Sequence, residues 1–366
     1  MMKTNLFSKI LRYPLFRKFG FPNTLPVNLT VSILYSCNAR CQTCNIYKKR
    51  VDNLTVEEYD RIFKSLGKAP FWFTISGGEP FLRKDIVEIC RRAYRHCKPG
   101  IINIPTNGIL YRFIPDRVEQ IAKSCPDSQI IINLSLDEIG ERHDEIRGYK
   151  NNYQLALKTY QQLKNLDYPN LTLGIHTVLS KYNVHNIFPI YHELDRLEPN
   201  SYITEIAEER MELDTVGLDI TPSYEEYAQA VDFLTKEIEK KQSISGTSIF
   251  HISKITQAFR LEYYQLVKQI LLKKTQVIPC YAGWASAHIA PDGNVWTCCI
   301  RAESIGNLRE YDYDFKKVWS SPKAEELRAS IRNKECYCPL ANASYTNMLC
   351  SGRTITRVIW RILKWI

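Results

Sequence analysis

Twelve cysteines in a chain of 366 residues are the first chemistry to account for. Cys37, Cys41 and Cys44 have the spacing C-x3-C-x2-C. Three thiolates on one short loop can hold three irons of a [4Fe–4S] cube and leave the fourth iron open for another ligand. A structural zinc site usually takes four protein ligands, commonly from C-x2-C pairs, so three alone suit zinc poorly. Six more cysteines, at 280, 298, 299, 336, 338 and 350, form a second metal-binding group near the C-terminus. Cys90, Cys97 and Cys125 fall on expected helices or helix ends and read as small buried hydrophobes. Gly77-Gly78-Glu79-Pro80 ends an apolar run and begins forty residues after Cys37. A glycine pair lets backbone come close to a ligand, and a carboxylate complements an ammonium.

Taken in order, these motifs resemble the radical SAM superfamily over residues 27–206. Cys37, Cys41 and Cys44 match its cluster triad, and Gly77, Gly78 and Glu79 match the motif after its second strand. The resemblance implies that the latter hold the amino group of S-adenosylmethionine. It also implies a ribose contact at Ser135 in Ser135-Leu136-Asp137, and a methionine-carboxylate contact at Arg147, whose forked guanidinium suits that group. Asn107, which also shapes the site, and Asp137 are further cofactor-binding residues in this reading, and Thr177 is a weaker cofactor candidate. Plainer roles are open for three of these: a helix-cap arginine at 147, a strand-end hydroxyl at 135 and a turn residue at 107. The family usually carries an aromatic residue before the third cysteine, where this chain has Thr43. The implied chemistry is reductive cleavage of S-adenosylmethionine bound at the open iron. The resulting 5′-deoxyadenosyl radical removes hydrogen from an unactivated C–H bond. A low-potential donor of the flavodoxin or ferredoxin type supplies the electron.

Cys280 is followed by twelve residues, Gly293, four residues and Cys298. That pattern is similar to the opening of the SPASM/twitch extension of many radical SAM enzymes, as are Ile305-Gly306-Asn307-Leu308 and Val318-Trp319. Two closed cubes need eight thiolates and this region has six. One auxiliary [4Fe–4S] cluster is therefore expected, on Cys280, Cys298, Cys336 and Cys338. Cys299 could replace its neighbour and Cys350 either late ligand, and four thiolates would also suit zinc. The seven histidines form no ligand constellation; His143, His176 and His288 read as core residues, with a site-facing position as the alternative for the last two.

The elements that must hold these residues alternate. Strands are expected at 27–35, 71–76, 101–106, 130–137, 171–179 and 202–206, and helices near 55–66, 85–97, 115–124, 152–166 and 184–195. Strands separated by helices imply a parallel sheet. The expected fold is α/β: a partial (β/α)6 radical SAM barrel over 27–220, followed by a small twitch-like β-hairpin and helix region over 280–350. Residues 221–279 read as a helical linker with a loop at 242–247. Pro291-Asp292-Gly293-Asn294 is a turn, and one helix is expected over 314–332.

Charge is uneven. The formal net charge is +10, yet Lys3, Lys9, Arg12, Arg17 and Lys18 have no acid among residues 1–20, and Arg353, Arg357, Arg361 and Lys364 have none among 353–366. The nearly neutral body argues against nucleic-acid binding. The segments 1–26 and 351–366 read as basic amphipathic helices of the kind that lie on an anionic membrane surface, with docking on the barrel as the alternative. No apolar run is long enough to span a bilayer, and no secretion signal is evident, so a cytoplasmic enzyme peripheral to the inner membrane face is expected. The basic ends favour a lipid or lipid-linked substrate, by C–C bond formation or oxidation. The alternatives are a peptide-modifying or sugar-dehydrogenating enzyme. The 26 residues before the first strand are too few for a peptide-binding winged helix. A non-enzymatic iron–sulfur protein would not need Gly77–Glu79 or Arg147.

Overall fold

The computed structural model describes residues 6, 8–244 and 252–365. Six parallel strands follow the expected alternation: β1 (Asn28–Ser32), β2 (Trp72–Ser76), β3 (Ile101–Thr106), β4 (Gln129–Ser135), β5 (Leu171–Leu179) and β6 (Ser201–Ile206). The connecting helices are α2 (Val56–Leu66), α3 (Ile86–Cys97), α4 (Ile114–Ser124), α5 (Gly140–Arg147), α6 (Asn152–Lys164) and α7 (Ile187–Asp195); α1 (Arg12–Phe19) precedes the sheet. Thr55 and Glu58 form a reciprocal capping box on α2, which fixes where that helix starts. Helix α5 was not expected, because its Gly-Glu-Arg-His-Asp-Glu sequence carries little apolar periodicity.

Strand alternation divides the sheet into two faces. Leu29, Val31, Phe73, Ile75, Ile102, Ile104, Ile130, Ile132, Leu134, Leu173 and Ile175 pack against the helices as one core. The opposite face carries Thr30, Ser32, Thr74, Asn103, Asn133, Ser135, His176 and Glu205 into the barrel lumen. This polar lumen is unusual for a barrel filled only for packing.

Beyond β6 lie α8 (Tyr224–Ile244) and α9 (Ile252–Lys273). The expected loop at 242–247 is shortened by α8, and its residues 245–247 lie outside the described residues. Next come β7 (Ser286–Ile289), β8 (Asn294–Trp296) and β9 (Ser304–Asn307), then α10 (Phe315–Trp319) and α11 (Pro322–Arg332). The single helix expected over 314–332 is two, because Ser321 caps a new start and Pro322 sits in its first turn. Helices α12 (Ala341–Leu349) and α13 (Gly352–Lys364) complete the chain.

The C-terminal region is not hung beside the barrel. Strand β7 runs parallel to β1, pairing Thr30 with His288, so the sheet order is β6-β5-β4-β3-β2-β1-β7-β8-β9. Helix α12 reaches the barrel interior: Asn342 Nδ2 donates to Thr30 Oγ1 at 2.7 Å, and Asn28 Nδ2 donates to Thr346 Oγ1 at 2.9 Å.

Both ends dock on the protein. Tyr13 and Phe16 of α1 are buried with Trp284 and Ile331, and Arg17 Nε donates to Cys280 O at 3.0 Å. In α13, Val358 and Thr354 are buried, and Arg361 Nε meets Glu262 Oε1 of α9 at 2.7 Å. The cationic face thus turns in part toward the body, while Ile359, Trp360 and Leu363 are exposed, as are Leu11, Leu15 and Phe19. Among the described residues no helix is long and apolar enough to cross a membrane.

Candidate functional site

The loop bearing Cys37, Cys41 and Cys44 leaves the C-terminal end of β1, where parallel barrels gather their chemistry. Its backbone is tied to the end of α5: Arg40 N donates to Arg147 O at 3.0 Å and Gln42 N to Ile146 O at 2.8 Å. Burial pushes the Cys37 thiol up to about 11 and Cys44 to about 12. The thiols are therefore protonated without metal, and taking up a cluster releases protons.

Gly77 and Gly78 follow β2, and the structure shows what their missing side chains allow. A Cβ on Gly77 would lie 2.0 Å from Leu34 O, and one on Gly78 would lie 2.1 Å from Ser36 O. The close approach is thus to the chain entering the cysteine loop. Gly78 N donates to Leu34 O at 2.8 Å and Glu79 N to Ser36 O at 3.0 Å. Glu79 is fully buried. Its carboxylate accepts from Thr106 Oγ1 at 2.9 Å, Phe81 N at 3.1 Å and Asn107 N at 2.8 Å. Burial raises its pKa, opposed by those bonds. Three of about four acceptor positions are spent on protein, so Glu79 ties β2 to β3 and keeps one direction for a ligand. Asn107 Nδ2 donates to Asn38 Oδ1 at 2.7 Å and lies 3.9 Å from Cys37 Sγ.

Arg147 is buried at the end of α5, with Nη1 donating to Asp137 Oδ2 at 2.9 Å. Burial opposes its charge, but the neighbouring Cys41 and Asp137 raise its pKa. Its Nε has no hydrogen-bond partner among the described residues. A buried guanidinium with a free N–H near the Cys37 and Cys41 thiols fits an anionic group bound at the cluster. His143 sits beneath, accepting from Asp137 N at 3.1 Å, and burial lowers its pKa to about 4. Its role is to hold the Asp137 turn. Ser135 ends β4 on the lumen face, in register with His176.

Thr177 is not brought to this site. It shares the helix-facing side of the sheet with Leu136, is fully buried, and donates to Leu136 O at 2.6 Å while accepting from Tyr202 Oη at 3.1 Å. Strand alternation sends its neighbours His176 and Val178 to the lumen instead.

Four of the six cysteines of the second group share one cavity. Cys280, Cys298, Cys336 and Cys338 line one cavity between α9, the β7–β9 region and α12. Four thiols on one cavity fit a closed cluster of four thiolates. Burial raises Cys280 to about 12 and also raises Cys298 and Cys338. Cys350 is not on that lining, although it packs against the same Tyr13 and Trp284 cluster as Cys280, Cys298 and Cys336. Cys299 is not on the lining either; it packs against Leu340 and Ala343 in a cluster that Cys338 also touches.

The segment after β6, residues 207–215, joins the two cysteine regions, and no motif announced it. Asn45 N donates to Leu213 O at 2.9 Å on the first side. Met211 N donates to Ile300 O at 3.0 Å on the second. It carries Glu208, Arg210 and Glu212 into the interior. Arg210 Nη2 stands 3.0 Å from Glu208 Oε1, off the line of a hydrogen bond, and neither Glu208 oxygen is hydrogen-bonded among the described residues. Burial raises the Glu208 carboxyl to about 7, with Arg210 opposing. His288 on β7 lies 3.3 Å from Glu212 Oε1, and burial lowers its pKa. Loop residues have no periodicity, so only the fold brings this cluster together.

Comparison with known proteins agrees with the two cysteine groups. Residues 31–194 match the model of the radical SAM superfamily, and residues 280–339 match that of an iron–sulfur cluster-binding domain, SPASM. The mycofactocin maturase MftC of Mycolicibacterium smegmatis is 26% identical over 311 residues, which is 83% of this chain and 72% of the relative. The Fe-coproporphyrin III synthase of Methanosarcina barkeri is 25% identical over 315 residues, 82% of this chain and 74% of the relative. Streptococcus suis SuiB bound to S-adenosylmethionine shares the fold, with a TM-score of 0.61 at 17% identity, over 86% of this chain and 70% of SuiB.

Proposed function

This chain is a radical SAM enzyme with a SPASM iron–sulfur cluster-binding region, and from that premise we propose that it modifies a peptide at an unactivated C–H bond. The observation that carries the substrate class is the likeness to a maturase over 83% of the chain. When bound, the [4Fe–4S] cluster and S-adenosylmethionine supply the 5′-deoxyadenosyl radical. Cys37, Cys41 and Cys44 hold that cluster in this reading. Arg147 and the 77–79 backbone orient the methionine end, and Asn107 and Ser135 border it. Cys280, Cys298, Cys336 and Cys338 hold the auxiliary cluster. A flavodoxin- or ferredoxin-type donor delivers the electron.

The lumen favours a peptide over the lipid that the basic ends suggest. Its lining is polar: Asn103, Ser135, His176 and Glu205 face it, with His176 Nε2 3.6 Å from Glu205 Oε2. A hydrocarbon would leave such groups unsatisfied, at about 1–3 kcal/mol each, whereas amides can pair with them. Surface attachment also loses electrostatic support, because Arg361 lies against Glu262 and Glu239. A tetrapyrrole carboxylate, by analogy with the second relative, would meet Glu205, Glu208 and Glu212 on one wall. The reading is tested by incubating reconstituted enzyme and reductant with peptides encoded beside its gene. A changed peptide mass with matching 5′-deoxyadenosine is expected; turnover with lipid extract and none with peptide would overturn it.

A further inference from the structure

Glu212, His288 and Cys299 come from three separate elements: the segment after β6, strand β7 and the turn after β8. All three are buried, and their carboxylate oxygen, imidazole nitrogen and sulfur lie within 4.8 Å of one another. Glu212 Oε1 and His288 Nε2 are 3.3 Å apart. A tetrahedral ion with bonds of about 2.0–2.3 Å sets its ligand atoms about 3.3–3.8 Å apart, so this pair already has the spacing and Cys299 needs only a small closure. Ser32 Oγ lies 2.9 Å from His288 Nε2 and 3.2 Å from Glu212 Oε1, which holds both atoms toward a common point.

The surroundings hold more acid than base: Glu205, Glu208 and Glu212 act on the one guanidinium of Arg210. Glu208, 6% exposed, has both carboxylate oxygens without a hydrogen bond among the described residues, and Arg210 is the cation set against the acids of this segment. Buried carboxylates in excess of cations call for a counter-ion. Carboxylate, imidazole and thiolate together suit zinc better than calcium or magnesium, which want oxygen alone.

We propose that Glu212, His288 and Cys299 form a third metal centre, a divalent zinc-type site between the two cysteine groups. Three protein ligands leave one position open, the pattern of a site that takes a donor from substrate or water. Cys299 then has a role distinct from Cys298, which faces the auxiliary cavity.

The test is metal analysis of the full chain, reconstituted with iron and sulfide, incubated with Zn²⁺ and desalted. About one zinc per chain is expected, with a zinc-edge absorption spectrum showing one sulfur near about 2.3 Å and nitrogen or oxygen near about 2.0–2.1 Å. Cys299→Ala and, separately, Glu212→Gln should lower retained zinc at least about tenfold while iron stays near about eight per chain, the sign of an intact fold. An all-sulfur zinc shell, no zinc retained by the parent, or equal zinc in parent and iron-replete variants would overturn the proposal.

Discussion

Gly78→Ala tests whether the glycine pair serves the cysteine loop. On this backbone the added carbon would stand 2.1 Å from Ser36 O and 2.6 Å from both Ser36 C and Tyr35 O. Ordinary contact begins near 3.4 Å, so one of two packed backbone segments must give way by about 1 Å. The atoms it meets are main chain, which cannot rotate aside. Movement stretches the bonds from Gly78 N to Leu34 O and from Glu79 N to Ser36 O. Leaving such buried groups poorly paired costs about 1–3 kcal/mol each, so about 2–6 kcal/mol falls on the two bonds of this junction. Ser36 immediately precedes Cys37, and a displacement of about 1 Å at reacting groups can cost about 100-fold in rate. Iron should fall from about eight toward about four per chain as the first cluster is lost. Production of 5′-deoxyadenosine should fall at least about 100-fold. Gly352→Ala is the control, because nothing lies within 4 Å of its added carbon and alanine suits the first turn of α13. Full iron and parental 5′-deoxyadenosine in Gly78→Ala would refute the reasoning.

Cys336→Ala should remove the auxiliary cluster and leave about four irons, whereas Cys350→Ala should keep about eight; the reverse pattern in iron and Mössbauer measurements would exchange their roles. Glu58 joins the cap of α2 to the C-terminal region through Arg309 Nε at 2.7 Å and Tyr313 Oη at 2.9 Å. The Arg309 hydrogen bond, with further hydrogen bonds against burial, lowers its carboxyl to about 2. The folded pKa lies below the unfolded value of about 4.3, so the stabilisation is full above that pH and is lost as pH falls toward 2. Glu58→Gln should cost about 1 kcal/mol in urea unfolding at pH 7 and progressively less below about pH 4. A difference independent of pH would show that charge is not the cause.

The two cysteine groups and the 77–80 motif were legible because each lies within a few residues of sequence, at the end of an expected strand. Alternation was legible too, and it is the rule that excludes Thr177: two residues after Ile175 on β5, it falls on the helix side with Leu136. Glu208, Arg210 and Glu212 left no local signal, since their partners His288 and Cys299 arrive from another region of the chain. The amphipathic ends were plain, but amphipathicity does not say which face docks. Only the acids on α8 and α9 turned Arg361 inward. The split between α10 and α11 could have been read from Ser320-Ser321-Pro322, a start signal inside an expected helix.

The place of β1 between β2 and β7 matters during synthesis. Translation delivers β1 early, and β2 can cover one side soon afterwards. The other side waits for Ser286–Ile289, which emerge only after the whole barrel and both long helices. At about 5–20 residues per second that interval is roughly ten to fifty seconds. Through it, a nascent chain carries an unpaired edge next to a polar lumen and a set of cysteines with no metal. Such edges pair readily with other strands. Slow or stalled translation over residues 210–280 therefore lengthens the period of greatest exposure, and the yield of intact protein depends on the last quarter of the chain arriving in time.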